Sequence, residues 1–404
     1  MPALKRVLCL VAALLCAASA LAQSPKPKTK AATPAVAPAV NLPSLVTAFW
    51  SRWDKDANDS LDRREIVAVL KDQAVKNFEA GIAAKLYQQK YKPAGLGQSV
   101  SVPKNELLAL VKEPKFAGEV QKARDRLTRA NRALFTKDDP NLDGFHQGAT
   151  GDCFLLANLA LLVQQRPEQL RAMFTTLENR DIRVTLGSGQ AVTVTPLTDG
   201  ELLLGAAFDR DSGVWLNVFE KAYAQVWKQT KERNVKGGLR DDEAMHSEFI
   251  SGGLSVPTMQ TLTGHKAVPD AFRFGKEAKE QETKREELHM LLTRLMKEKK
   301  LVLLHTRRDP DKGTTFTKPP GWPDAHTYAL FGYDAEQRIV HCFNPWGNTF
   351  KPKGGPGLTN GYETKGGQFD MPLAELMALF KSLSHETDEP LSAAAPTATR
   401  PAKK

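Results

Sequence analysis

The segment His146–Cys153, read HQGATGDC, runs straight into the apolar stretch FLLANLALLV. A cysteine therefore stands where a glycine-rich turn becomes a helix. Gly148 and Gly151 suit the turn, Asp152 is a residue type favoured at a helix N-cap, and Cys153 falls in the first helical turn. Unpaired amides and the positive end of the helix dipole favour an anion there, which lowers a thiol pKa and enriches the thiolate. Gln147 carries an amide suited to donate to a developing oxyanion. Taken alone, the same placement serves equally well for a small buried cysteine.

A thiol nucleophile needs a base, and among eight histidines His326 stands out by position. HTYALFGY reads as an alternating, aromatic-rich strand and RIVHCFNPWG as a second, joined by DAEQ. A four-residue turn over 334–337 pairs Tyr333 with Arg338 and sets His326 opposite Pro345, one step from Asn344. The hairpin thus delivers an imidazole and a carboxamide to the same open end. An amide beside an imidazole can fix its tautomer and orientation, as a carboxylate does in other triads.

A second chemical signal lies upstream, in DKDANDSLDRRE over 54–65. Oxygen-bearing side chains recur at loop positions 1, 3, 5, 7 and 9, and Glu65 stands at 12, the spacing of an EF-hand calcium loop. Asp54, Asp56, Asn58, Ser60 and Glu65 are the expected Ca2+ ligands. Asp59 occupies the turn position that prefers glycine. The bland alternative is an acidic turn capping a helix. Farther on, GLGQSVSVPKNELLALVK places Glu106 at position 12 and Val102 at position 8 of a second loop without carboxylates, a degenerate partner hand.

These signals sit in a chain of 404 residues, 41% hydrophobic and 25% charged, a globular composition with room for two or three domains. Residues 1–22 read as a secretory signal: Lys5 and Arg6, then VLCLVAALLCAA, then Ala20-Leu21-Ala22. The chain is therefore expected to be exported, to periplasm or medium. That apolar run is short for a membrane span, and no later one is longer. Residues 23–42 form a Pro/Ala-rich linker, 43–137 a helical EF-hand-like module, and 385–404 a tail. The net charge of +10 falls to +5 over 43–384, with no basic stripe interleaved with aromatics, so nucleic acid is not an expected partner. Past the signal only Cys153 and Cys342 remain. They make either one bridge or a free thiol with a function.

Taken together, the motifs QGATGDCFLLANLA, VWLNVFEKAYAQVW (214–227), ISGGLSVPTMQTLTG (250–264), AHTYALFGYD, FNPWGN and GGQFDMPLAELMALFKSL (366–383) resemble those of the calpain-type, papain-like cysteine proteases, in order over 139–384. The resemblance implies an α+β, two-lobed core, with lobe 1 over 138–264 and lobe 2 over 265–384. It implies Cys153 as nucleophile, His326 as general base and acid, and Asn344 as the orienting residue. Gln147 and the Cys153 amide would form the oxyanion hole, and Trp346 would shield the His–Asn contact. The implied reaction is endopeptidase cleavage of a polypeptide through an acyl-enzyme, by a monomer. The chain departs from the family pattern at Phe154, where tryptophan is usual, and at Ala325, where glycine often precedes the histidine. Phe350, Gly366 and Gln368 stand where the family's second-lobe calcium site has acids, although Glu220 matches a first-lobe ligand. Two rival readings are a calcium-binding interaction protein with an inactive core and a papain-fold acyltransferase.

Overall fold

The computed structural model describes residues 40–91, 99–136, 140–142, 144–206, 213–234, 253–272, 277–307, 319–348, 350 and 352–391. The signal segment, nearly all of the linker, part of the second loop at 92–98, and Ser251-Gly252 lie outside these.

Helices α1 (Leu42–Trp53), α2 (Arg63–Lys71), α3 (Asn77–Leu86), α4 (Lys104–Leu110) and α5 (Pro114–Arg129) make up most of the first ninety residues described. The acidic loop leads into α2 through a capping box: Glu65 N donates to Asp62 Oδ1, and Asp62 N donates to Glu65 Oε2, both at 2.9 Å. Strands β1 (Ser60–Leu61) and β2 (Val102–Pro103) pair antiparallel, with Leu61 opposite Val102. Leu61, which counts as position 8 of the first loop, thus faces Val102, position 8 of the second. Asp59 adopts φ +59°, the left-handed conformation its position demands.

Helix α6 (Cys153–Gln165) is buried on nearly every side, as a run of Leu and Ala without a polar stripe requires. After α7 (Pro167–Ala172), β3 (Phe174–Thr176), β4 (Ile182–Thr185) and β5 (Ala191–Val194) form a three-stranded meander. The short α8 (Asp199–Leu204), α9 (Trp215–Asn234) and α10 (Ser255–Thr263) complete the first lobe.

The second lobe is an antiparallel sheet in the order β10-β9-β8-β7-β11-β6. Its strands are β6 (His265–Ala271), β7 (Val302–Thr306), β8 (Thr327–Asp334), β9 (Ile339–Phe343), β10 (Gln368–Pro372) and β11 (Phe380–Pro390), joined by helices α11 (Ala278–Lys297) and α12 (Leu373–Leu379). Its strands alternate between two cores. Leu301, Leu303, Ala329 and Phe343 join the first-lobe core, whereas Val302, Leu304, Tyr328 and Leu330 face a second core with α11 and α12. Phe350 is stacked on Trp322 and edge-on to Phe369 in that second core, so an aromatic cluster fills the position where the family has an acid.

Two boundaries differ from the sequence expectation. The segment read as a tail from 385 continues β11 to Pro390, where it pairs with β6 and β7. Its polar composition is accommodated by ion pairs: Glu386 with Arg166, Asp388 with Lys300, and Glu389 with Lys266. The helical module, expected as a separate unit, shares one continuous core with the first lobe, from Leu42 to Phe343. Its helices pack on one another and, through α2, α3 and α5, on α8 of lobe 1. Among the described residues no helix is long and apolar enough to cross a membrane.

Candidate active site

Cys153 opens α6, as its turn predicts. Asp152 holds the N-cap position without a capping hydrogen bond from its side chain. Its carboxyl instead lies near that of Glu220, which accepts from the Ala206 amide at 2.8 Å and from Thr150 Oγ1 at 3.3 Å. Burial and the Asp152 charge push Glu220 well above the carboxylate range.

His326 and Asn344 flank the β8–β9 hairpin. The pairing is not the one expected from a 334–337 turn: Tyr333 faces Val340, and the turn falls at 335–338. A bulge between Leu330 and Gly332 then shifts the register by one, so Ala329 faces Phe343. Continuing that inner register sets Asn344 opposite Tyr328, two residues from His326 and on the same face. The Nε2–H of His326 donates to Asn344 Oδ1 at 2.9 Å, and this oxygen also accepts from the Trp346 amide at 3.0 Å. The His326 tautomer implied by this contact leaves Nδ1 with its lone pair, and Nδ1 has no hydrogen-bond partner.

The surroundings hold this ring in place. The Trp346 ring lies 4.4 Å from it, centroid to centroid, beside the contact it is expected to shield. Thr306 on β7 accepts from the His326 amide at 2.8 Å and donates from its own amide to the His326 carbonyl at 3.0 Å. Sequence reasoning gave no hint of Thr306, because its role arises from strand pairing. Ala325, just before the histidine, sits at φ +48°. That explains why glycine suits this position.

The lobes meet around the thiol. The Gln147 amide N–H donates to Pro345 O at 2.7 Å, and Ser255 Oγ is 3.0 Å from Thr327 Oγ1. Burial pushes the Cys153 thiol up to about 11, the Asp152 charge adds to this, and a hydrogen bond from the Thr327 backbone opposes it. Burial also pulls His326 down to about 4 against its bond to Asn344. The expectation that the helix start depresses the thiol pKa is therefore reversed: desolvation outweighs the helix terminus, and both groups rest neutral. The Gln147 side chain donates Nε2–H to Thr150 O at 2.6 Å, which leaves its second N–H for an oxyanion. Phe154 packs its ring against Gly253, where a Cβ would stand 2.3 Å from the ring. Cys153 and Cys342 are both free; Cys342 is buried in β9 and makes no bridge.

In the acidic loop, Asp54, Asp56 and Glu65 bring carboxylate oxygens within 4.8 Å of one another. Asp54 also accepts from Trp50 Nε1 at 3.0 Å and from the Asp59 amide at 2.9 Å. Asn58 Nδ2 donates to Asp56 Oδ2 at 2.8 Å, and the Ser60 amide donates to Asn58 Oδ1 at 2.8 Å. The five expected ligands thus lie on one folded loop whose donor set is all oxygen, as a hard divalent cation requires.

Comparison with protein families matches residues 101–354 to the model described as calpain family cysteine protease. The matched span contains Gln147, Cys153, Glu220, His326 and Asn344. It begins earlier than the motifs, within the helical module, and ends before β10. Comparison with curated proteins gives no match.

Proposed function

The chain belongs to the calpain family of cysteine proteases, and from that premise we propose that it is an exported endopeptidase working through Cys153, His326 and Asn344. One observation carries this reading. A buried imidazole, oriented by Asn344, keeps an unpaired Nδ1, and α6, which Cys153 opens, packs against β8, which begins at the next residue, Thr327.

The chemistry follows from the neutral pair. Cys153 Sγ attacks the scissile carbonyl carbon while its proton passes to His326 Nδ1. The Asn344 carbonyl steadies the imidazolium that forms. The second Gln147 N–H and the Cys153 amide receive the oxyanion. His326 then gives its proton to the leaving amine as the C–N bond breaks, leaving a thioester on Sγ. Water attacks the thioester, His326 takes its proton, and the carboxylic acid leaves as the thiol is restored.

Asp54, Asp56, Asn58, Ser60 and Glu65 would hold calcium in this reading, and the ion would screen the three converged carboxylates of Asp54, Asp56 and Glu65. Residues 1–22 are the export signal. The products of an unfolded polypeptide test the reaction class. Hydrolysis yields free carboxyl termini even with a small amine present, whereas predominant amide formation with that amine would favour the acyltransferase reading.

A further inference from the structure

Helix α8 stands between the helical module and the nucleophile turn, and it is tied to both. At its N-terminus, Thr198 Oγ1 donates to Leu70 O at the end of α2, at 2.6 Å. Asp199 Oδ2 accepts from the Asn77 amide of α3 at 2.9 Å. Both side chains are almost wholly buried. Contact is close enough that a Cβ at Gly200 would stand 2.4 Å from Leu70 O. At the other end, the Ala149 amide donates to Leu204 O at 2.8 Å. A Cβ at Gly148 would stand only 1.8 Å from Gly205 O. Arg126 of α5 reaches Ala206 O at 3.2 Å, so the module grips this end as well.

Six helical residues span about 9 Å, too short a helix to bend appreciably. Resting on the reading of Cys153 as the nucleophile, we infer that α8 is a strut through which the helical module positions the nucleophile turn, with Thr198 and Gly200 as positioning residues. The module is then a standing part of the catalytic unit and not a removable pro-segment. Displacing α2 or α3 moves Leu204 and Gly205, and with them the turn that aims Cys153 at His326.

Three full-length variants test this. Thr198→Val removes the hydroxyl that bonds Leu70 and that also caps α8 by accepting from the Glu201 amide at 3.0 Å, Thr198→Ser keeps both, and Gly200→Ala forces α8 away from Leu70 while leaving that cap intact. Each is measured for kcat and KM on an unfolded polypeptide, per folded molecule as determined by circular dichroism and a cooperative unfolding transition, and for the rate of Cys153 alkylation by iodoacetamide at fixed pH. Normalising to the folded fraction separates an effect on the turn from a loss of folded protein. The expected result is a fall in kcat of roughly 10- to 100-fold in Thr198→Val and Gly200→Ala with KM nearly unchanged. Their alkylation rates should shift, and Thr198→Ser should match wild type. Wild-type kcat and alkylation in Thr198→Val and Gly200→Ala, or a loss confined to KM, overturns the inference. If wild type itself cleaves nothing through Cys153, the functional reading fails instead. The alkylation rates then decide the strut alone, altered rates supporting it and unaltered rates overturning it.

Discussion

The imidazole of His326 spends Nε2 on Asn344 Oδ1 at 2.9 Å and leaves Nδ1 unpaired, in a residue only 2% exposed. A buried polar nitrogen without a partner costs stability, so its orientation is held by its neighbours. Asn344 is the neighbour that fixes the tautomer. Asn344→Ala should lower kcat by roughly 10- to 100-fold with KM little changed, as expected when a general base loses alignment rather than identity. Steady-state kinetics check this, and an unchanged kcat would remove Asn344 from the mechanism.

The resting dyad should be neutral. With Cys153 pushed up to about 11 and His326 held down to about 4, the thiolate is scarce across the intervening range. The alkylation rate of Cys153 should then climb about tenfold per pH unit from 6 to 9, without a plateau. A plateau already present at pH 5 would instead reveal a thiolate–imidazolium pair. Stability carries the matching sign. As pH falls through the ordinary histidine value of 6.5, the unfolded chain gains a proton that folded His326 refuses, so stability drops until about pH 4, where the loss levels off.

Calcium should stabilise the fold through the acidic loop. A cation bound only by the folded chain at 100 times its Kd adds about 2.7 kcal/mol. Thermal unfolding with calcium and with chelator should show a higher Tm with the ion. Asp54→Asn and Glu65→Gln should each abolish the difference. An equal Tm in wild type under both conditions would reduce the loop to a capped acidic turn.

Ala325→Gly should be neutral or stabilising, by up to about 1 kcal/mol, because it relieves a left-handed alanine at φ +48°. The same change at an ordinary position loses about 0.4–1 kcal/mol through unfolded-state entropy. A urea midpoint that falls by that full amount would show that the backbone there is unstrained.

Local chemistry was the most legible part of the sequence. The turn before Cys153 opens a helix where expected, and the strands carrying His326 and Asn344 form a hairpin, because each rests on residues close in the chain. The register of the hairpin was not legible. Nothing in LFGYDAEQRIV marks the bulge at Phe331 that brings Asn344 onto the face of His326. The thiol environment was misjudged because a helix start is visible in sequence, whereas burial between two lobes is not. The same limit hid Thr306, the Thr327 backbone contact and α8, all of which act through tertiary contacts. β11 was cut short because its last residues are charged, and the partners that neutralise them, Arg166, Lys266 and Lys300, lie far away in sequence.

The central claim is that Cys153 cleaves peptide bonds with His326 as its base. The most direct measurement is the appearance of new amino termini when an unfolded polypeptide is incubated with wild type, Cys153→Ala or His326→Ala, each verified as folded. The account predicts internal cleavage by wild type and none by either variant. Equal cleavage by wild type and Cys153→Ala would contradict it.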